Sequence, residues 1–149
     1  MRVELTGAET TDLLSVTGNA SGDSGTGVKL NGNNTLDNVS LAGEATNGTG
    51  MNISGPIINN GNTAVNGKST EGDGVRLNSA ITGGTVNGSS ANGSGVKVVG
   101  DSVLDNATLN GSSTEGAGLD IHANITGSNG SGVQGNTANG TGVAVGNEG

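Results

Sequence analysis

Short runs in which aliphatic and polar residues alternate recur along the chain. Val28–Leu30, Met51–Ile53, Val75–Leu77 and Leu119–Ile121 each place a polar or charged residue between two aliphatic ones. A period of two is typical of a β-strand with one buried face. A helix is disfavoured because glycine recurs every few residues and no run has the helical period. The pattern predicts short strands.

A Gly-x-Gly motif recurs at six regularly spaced places ahead of such runs. The second glycines of successive motifs are 23, 24, 21, 23 and 24 residues apart. A repeat of this length is one supersecondary unit of a solenoid. Glycine permits a turn with positive φ or a close backbone approach that a Cβ would hinder. We therefore predict a structural turn role for twelve glycines: Gly25, Gly27, Gly48, Gly50, Gly72, Gly74, Gly93, Gly95, Gly116, Gly118, Gly140 and Gly142.

Two further aliphatic positions complete the repeat. One stands seven residues before the first glycine of the motif, at Leu41, Val65, Val86, Leu109 and Val133. The other lies in mid-repeat, at Leu36, Ile57, Ile81, Leu104 and Ile125. Two or three strands in about 23 residues, joined by Gly and Asn turns, make one coil of a parallel β-helix. The aliphatic residues are then expected to stack into continuous interior ladders.

The fold class predicted from these spacings is all-β, a right-handed parallel β-helix or β-solenoid. Second glycines 27 and 95, 50 and 118, and 74 and 142 are each 68 residues apart, which indicates a duplicated three-coil superrepeat. Residues 1–149 are interpreted as a single solenoid segment, with an irregular first coil over 1–24 and regular coils over 25–149. Because neither end shows a capping element, we expect a fragment of a longer repeat protein, or an end-to-end oligomer.

Composition and charge narrow the functions open to such a chain. Its 149 residues include 31 glycines but no aromatic residue and no cysteine, and the formal net charge is −8. Nucleic-acid binding is excluded because it needs a basic surface and stacking aromatics. Membrane insertion is not expected because no apolar run is long enough to span a bilayer. The N-terminus has no signal-peptide pattern, so an export signal would lie outside this sequence.

Few residues are candidates for chemistry. His122 is the only histidine, and alternation places it with Asp120 on the outer face, where an Asp/His pair could orient a general base. No Ser or Cys nucleophile motif accompanies the pair, so we interpret it as a solvated surface pair. We predict no enzyme activity, no catalytic residue and no cofactor.

Charged residues at repeat-equivalent positions define two columns. Lys29, Arg76 and Lys97 share an outward position and could bind an acidic glycan, although a solvated face with a Lys97/Asp120 pair is the simpler interpretation. Glu71 and Glu115 alternate with Asn47, Asn92 and Asn139, so carboxylates do not adjoin in successive coils. We therefore predict no metal site.

The Gly/Asn-rich coils carry a resemblance to a known family. The turns Asn47–Gly50, Asn92–Gly95 and Thr114–Gly118, together with the missing cysteine, resemble the repeat regions of large exported Gram-negative exoproteins. Those proteins are of the filamentous-haemagglutinin or two-partner-secretion type, and autotransporter passengers are a near alternative. The resemblance implies a rod-like adhesin at the bacterial surface or secreted. Its implied partners are a host cell-surface receptor or glycan and an outer-membrane transporter.

Other functions remain open beside the adhesin. A passive stalk and a stick that delivers a toxin domain would have the same repeats. A polysaccharide-active β-helix enzyme is the least favoured, because the chain lacks the aromatic residues of a sugar-binding cleft.

Asn-x-Ser/Thr sequons occur twelve times. Some members of the resembled family are glycosylated at such sites by a dedicated transferase, although a chain this rich in Asn, Ser and Thr produces sequons by composition alone. The candidate glycosylation sites are Asn47, Asn92, Asn106, Asn110 and Asn139.

Overall fold

Residues 2–146 form an all-β solenoid of eighteen short strands. The computed structural model describes residues 2–146, and within that range no residue is helical. The strands are β1 Arg2–Thr6, β2 Leu14–Ala20, β3 Thr26–Leu30, β4 Asn33–Asp37, β5 Val39–Ala45, β6 Thr49–Ile53, β7 Ile57–Asn60, β8 Ala64–Ser69, β9 Val75–Leu77, β10 Ile81–Thr82, β11 Thr85–Ser90, β12 Val96–Val98, β13 Ser102–Asp105, β14 Thr108–Ser113, β15 Leu119–Ile121, β16 Ile125–Ser128, β17 Gly132–Thr137 and β18 Val143–Val145.

Each coil gives one strand to each of three parallel sheets. Sheet 1 has the order β1-β4-β7-β10-β13-β16, sheet 2 the order β2-β5-β8-β11-β14-β17, and sheet 3 the order β3-β6-β9-β12-β15-β18. Every strand therefore pairs with the strand three places along the chain, which is the connectivity of a parallel β-helix. The predicted all-β solenoid with a coil of about 23 residues is confirmed. Between β1 and β2, Glu9 and Asp12 form an isolated antiparallel bridge.

Sheets 2 and 3 contain the predicted interior ladders. In sheet 2 the register stacks Leu41, Val65, Val86 and Leu109 directly on one another. In sheet 3 it stacks a second column of side chains in the same way, from Met51 through Val75 and Val96 to Leu119. All eight side chains are at most 1% exposed. Val133, predicted for the same ladder of sheet 2, stacks on Leu109 but is 43% exposed. Burial of these aliphatic columns supplies the main hydrophobic stabilisation of the coils.

The mid-coil ladder predicted for sheet 1 is only partly right. Ile57, Ile81 and Leu104 do stack in register. Leu36, however, pairs with Asn59, and Ile125 pairs with Ser102, so both are displaced by two residues from the column. A displacement of two residues leaves each side chain on the same face of the sheet, so Leu36 remains buried although the ladder is interrupted.

Sheets 2 and 3 meet along a glycine seam within each coil. The seam pairs a glycine of sheet 2 with the second glycine of the Gly-x-Gly motif: Gly43 with Gly50, Gly67 with Gly74, Gly88 with Gly95, Gly111 with Gly118, and Gly135 with Gly142. A Cβ on the sheet 2 glycine would overlap the carbonyl oxygen of its partner. The first glycines of the motif form another column, in which a Cβ on Gly93 would overlap the carbonyl of Gly72. The glycines thus allow backbones to touch.

Positive φ angles occur elsewhere. Among residues 2–146, none of the twelve predicted turn glycines has a positive φ. Most positive φ angles lie at the corner between sheets 1 and 2, and one, at Gly32, lies between sheets 3 and 1. The residues at the first corner are Asn38, Gly61, Gly83, Gly84, Asn106, Asn129 and Gly130. Glycine and asparagine tolerate the left-handed region best, which explains their recurrence at this corner.

Candidate functional site

A hydroxyl group closes the corner between sheets 2 and 3 in four successive coils. Ser90 Oγ accepts a hydrogen bond of 2.9 Å from the backbone N–H of Gly93 and donates one of 2.7 Å to the carbonyl of Gly72 in the preceding coil. The same pair of bonds is made by Ser69, Ser113 and Thr137. Each hydroxyl therefore fixes its own turn and joins it to the coil before. Ala45 holds this position one coil earlier and lacks the hydroxyl.

Acidic and amide side chains alternate along the outside of the same corner. Asn92 Nδ2 donates to Glu71 Oε2 at 2.9 Å, and Asn139 Nδ2 donates to Glu115 Oε1 at 2.8 Å. Asn47 Nδ2 donates to Asp23 Oδ1 at 3.4 Å. We call these six residues the acid–amide column. The alternation seen in the sequence pairs each of these carboxylates with an amide donor and keeps the carboxylates apart.

The outer face of sheet 2 carries a shallow groove of about 400 Å³ that crosses five coils. Its floor contains a ladder of amides, in which Asn87 Nδ2 donates to Asn66 Oδ1 at 3.0 Å and Asn110 Nδ2 donates to Asn87 Oδ1 at 3.2 Å. Ser89 and Ser112 line the groove beside this ladder. We call it the amide groove. Its lining consists of small and polar residues, and it extends across five coils.

The outer face of sheet 3 carries the column predicted from Lys29, Arg76 and Lys97. The register confirms that the three residues share one column, with Asn52 between Lys29 and Arg76 and with Asp120 after Lys97. Arg76 lies 3.3 Å from the carboxylate of Asp73. The column is therefore not a continuous basic stripe.

The predicted Lys97/Asp120 pair is wrong. Within residues 2–146, no ion pair joins these two side chains, because the Asp120 carboxylate contacts two other groups. Its Oδ1 lies 2.8 Å from His122 Nε2, and its Oδ2 accepts a hydrogen bond of 3.5 Å from the Ser94 hydroxyl. Only 17% of the His122 side chain and 20% of the Asp120 side chain are exposed. The pair is therefore largely buried, and the prediction of a solvated pair is wrong.

This arrangement does not match a nucleophilic triad. In a triad the imidazole lies between hydroxyl and carboxylate and takes the hydroxyl proton. Here the carboxylate lies between the hydroxyl of Ser94 and the imidazole of His122. The imidazole therefore does not occupy the position from which it takes the hydroxyl proton in a triad.

The five candidate glycosylation sites differ in the freedom of their amides. Asn47, Asn92 and Asn139 donate to the carboxylates of the acid–amide column, and Asn110 donates within the amide groove. Asn106 is exposed at a left-handed corner with φ of 50°, and its side-chain amide makes no hydrogen bond to any residue the structure describes. A transferase would meet a free amide only at Asn106 among the five.

No family model, no curated protein and no solved structure matches the chain. Over the described residues 2–146, no group of three His, Cys, Asp or Glu side chains could hold a metal ion. The same range contains no helix long and apolar enough to cross a membrane.

Sequence reasoning missed two of these features. The sequence shows a small residue two places after the sheet 2 glycine in each repeat. The hydrogen bonds of its hydroxyl could not be predicted, because they depend on which carbonyl of the preceding coil lies next to it. The amide ladder was visible as asparagine before that glycine in three consecutive coils, at Asn66, Asn87 and Asn110. Both features could have been predicted from the recurrence of the same residue type at the same position of successive repeats.

Proposed function

We propose that this chain is a structural and adhesive rod from a secreted or surface-exposed bacterial protein, and that it mediates or projects attachment to host cells. One observation carries the proposal: six coils stack on one another, and in sheets 2 and 3 equivalent outward positions repeat from coil to coil in columns. Neighbour-to-neighbour stacking gives a solenoid an extended surface suited to display and binding. Export through an outer-membrane transporter belongs to the same proposal.

The absence of an assembled catalytic group among residues 2–146 fits this proposal better than an enzyme. The only histidine contacts the Asp120 carboxylate, and the other oxygen of that carboxylate accepts a hydrogen bond from the Ser94 hydroxyl. The outer grooves lack aromatic residues, because the chain has none. A glycan-active enzyme would need an acid or base positioned over its substrate.

Binding of the purified, folded segment to epithelial cells tests the adhesive part of the proposal. We expect saturable binding that exceeds the binding of a length-matched solenoid of unrelated surface. Non-saturable binding equal to the control would contradict adhesion by these coils and would favour a stalk or a toxin-delivery stick. Labelling of intact producing cells with an antibody to the segment tests the proposed location.

Glycosylation, if this rod carries it, is expected at Asn106. Its amide is free and exposed, whereas those of Asn92 and Asn139 are held by carboxylates. Intact-mass analysis of protein from the native host should show added hexose that Asn106→Gln removes and Asn92→Gln leaves. Unmodified wild-type protein, or loss of the sugar in Asn92→Gln alone, would contradict this assignment.

A further inference from the structure

The amide groove presents the same polar groups at the same place in successive coils. Asn66, Asn87 and Asn110 are in direct register, as are the residues two places after them, Lys68, Ser89 and Ser112. Neighbouring parallel strands are about 4.8 Å apart, so five coils span about 19 Å along the solenoid axis. The groove therefore fits an extended ligand lying parallel to that axis.

The ladder leaves hydrogen-bonding capacity unused. A side-chain amide has two N–H donors and two acceptor lone pairs. Asn87 donates one N–H to Asn66 and accepts one hydrogen bond from Asn110, so one N–H and one lone pair are unused. Asn110 Oδ1 is buried and has no hydrogen-bond partner among the residues that the structure describes. This oxygen is closed to solvent, so the groups left for a ligand are the N–H donors that Asn66, Asn87 and Asn110 do not use within the ladder.

The lining selects against charged ligands. Glu44 and Lys68 are register partners near one end of the groove, and their opposite charges offset one another. The next three equivalent positions are Ser89, Ser112 and Asn136, which are neutral. The chain as a whole carries a net charge of −8, which disfavours an acidic polymer.

The geometry also selects against a peptide strand. A peptide that joins a sheet pairs with the backbone of an edge strand. In the groove the backbone groups of sheet 2 are already paired with the coils on either side. Its ligand must instead be recognised by side-chain amides and hydroxyls. A sugar residue offers several hydroxyls as donors and acceptors, and an extended β-linked glycan repeats at nearly the spacing of the coils.

We propose that the amide groove binds a linear, uncharged, β-linked glycan along the solenoid axis, with one sugar residue facing each coil. The inference deepens the proposed attachment function and rests on it for its biological role. Because the groove lacks aromatic platforms, each sugar contributes only a few polar contacts, and affinity comes from the number of coils engaged.

A length series of oligosaccharides tests this proposal. Chito-oligosaccharides and cello-oligosaccharides of two to six residues would be titrated into the full chain and followed by NMR of the side-chain amides. We expect the resonances of Asn66, Asn87 and Asn110 to shift, and the affinity to rise with length until about five coils are covered. Binding of neither series, shifts confined to other faces, or an affinity independent of length would overturn the proposal.

A paired substitution separates the groove from the rest of the surface. Ser112→Leu places an apolar side chain in the groove at an exposed position with no hydrogen bond to lose among the described residues. Thr82→Leu makes a comparable change on the outer face of sheet 1. We expect Ser112→Leu to weaken glycan binding at least tenfold and Thr82→Leu to leave it unchanged, with equal thermal midpoints. Equal affinities for both variants would refute the groove as the site.

Cell binding by the same two variants distinguishes the two proposals. If wild-type protein and Ser112→Leu bind cells equally, attachment stands and the glycan groove is not its basis. If the groove binds oligosaccharide but the wild-type protein does not bind cells, the groove stands and the adhesive function fails.

Discussion

At the scale of the residue, glycine has a different role from the one its abundance first indicates. The twelve predicted turn glycines do not provide positive φ in residues 2–146, where that conformation lies mainly at the Asn and Gly corner between sheets 1 and 2. They remove side chains where the backbones of sheets 2 and 3 touch. The positions of these glycines could be predicted from the sequence. Their role could not, because a positive φ and a close approach of two backbones both favour a residue without a Cβ.

Gly111→Ala should therefore lower the stability of the fold, even though it adds only one methyl group. Its Cβ would overlap the carbonyl of Gly118, and we expect a loss of about 2 kcal/mol or more in the free energy of unfolding, as for other overpacked sites. Gly132→Ala is the matched control, because nothing lies within 4 Å of its Cβ position. Urea denaturation measures both variants, and equal losses would contradict the glycine seam.

At the scale of the element, the corner between sheets 2 and 3 is held by two parallel sets of bonds. Inside, hydroxyls such as Ser90 join each turn to the carbonyl of the coil before. Outside, the acid–amide column links the same coils through pairs such as Asn92 and Glu71. The small residues and the Asn/Glu alternation could be seen in the sequence, but a hydrogen bond between coils depends on the exact register of the turns.

The hydroxyl bonds inside the corner can be tested by removing one hydroxyl and adding another. Ser90→Ala leaves the Gly93 N–H and the Gly72 carbonyl without this partner, and we expect a loss of about 1–2 kcal/mol. Ala45→Ser adds the hydroxyl where the first regular coil lacks it, and should raise stability by up to about 1 kcal/mol. Ser112→Ala, at an exposed position, is the control. An unchanged urea midpoint in Ser90→Ala would show that the corner bonds contribute nothing.

The acid–amide column on the outside predicts a variant whose thermal stability depends on pH. Asn92→Asp replaces the amide donor with a carboxylate between Glu71 and Glu115, so three acidic groups would adjoin. Repulsion is present when the carboxylates are ionised and disappears when they are protonated. The thermal midpoint should therefore fall below that of wild type near neutral pH and return to it below about pH 4. A difference that is independent of pH would contradict the electrostatic cause.

At the scale of the whole molecule, the chain is a stack in which each coil depends on its neighbours. Repeat spacing and strand alternation were enough to predict a solenoid with two or three strands per coil and the ladders of sheets 2 and 3. They could not predict the register of sheet 1, where Leu36 faces Asn59 and Ile125 faces Ser102. Alternation determines the face of a strand, and a shift of two residues does not change it.

The in-register stack of coils is the central claim, and disulfide trapping tests it most directly because the chain has no cysteine of its own. Lys97 and Asp120 are register partners in adjacent coils, so their Cα atoms should be about 5 Å apart, within the range a disulfide spans. Asn52 and Asp120 share the column but are three coils apart, about 14 Å. Mild oxidation should cross-link Lys97→Cys/Asp120→Cys within the monomer and leave Asn52→Cys/Asp120→Cys reduced; the opposite result, or equal cross-linking of both, would contradict the solenoid.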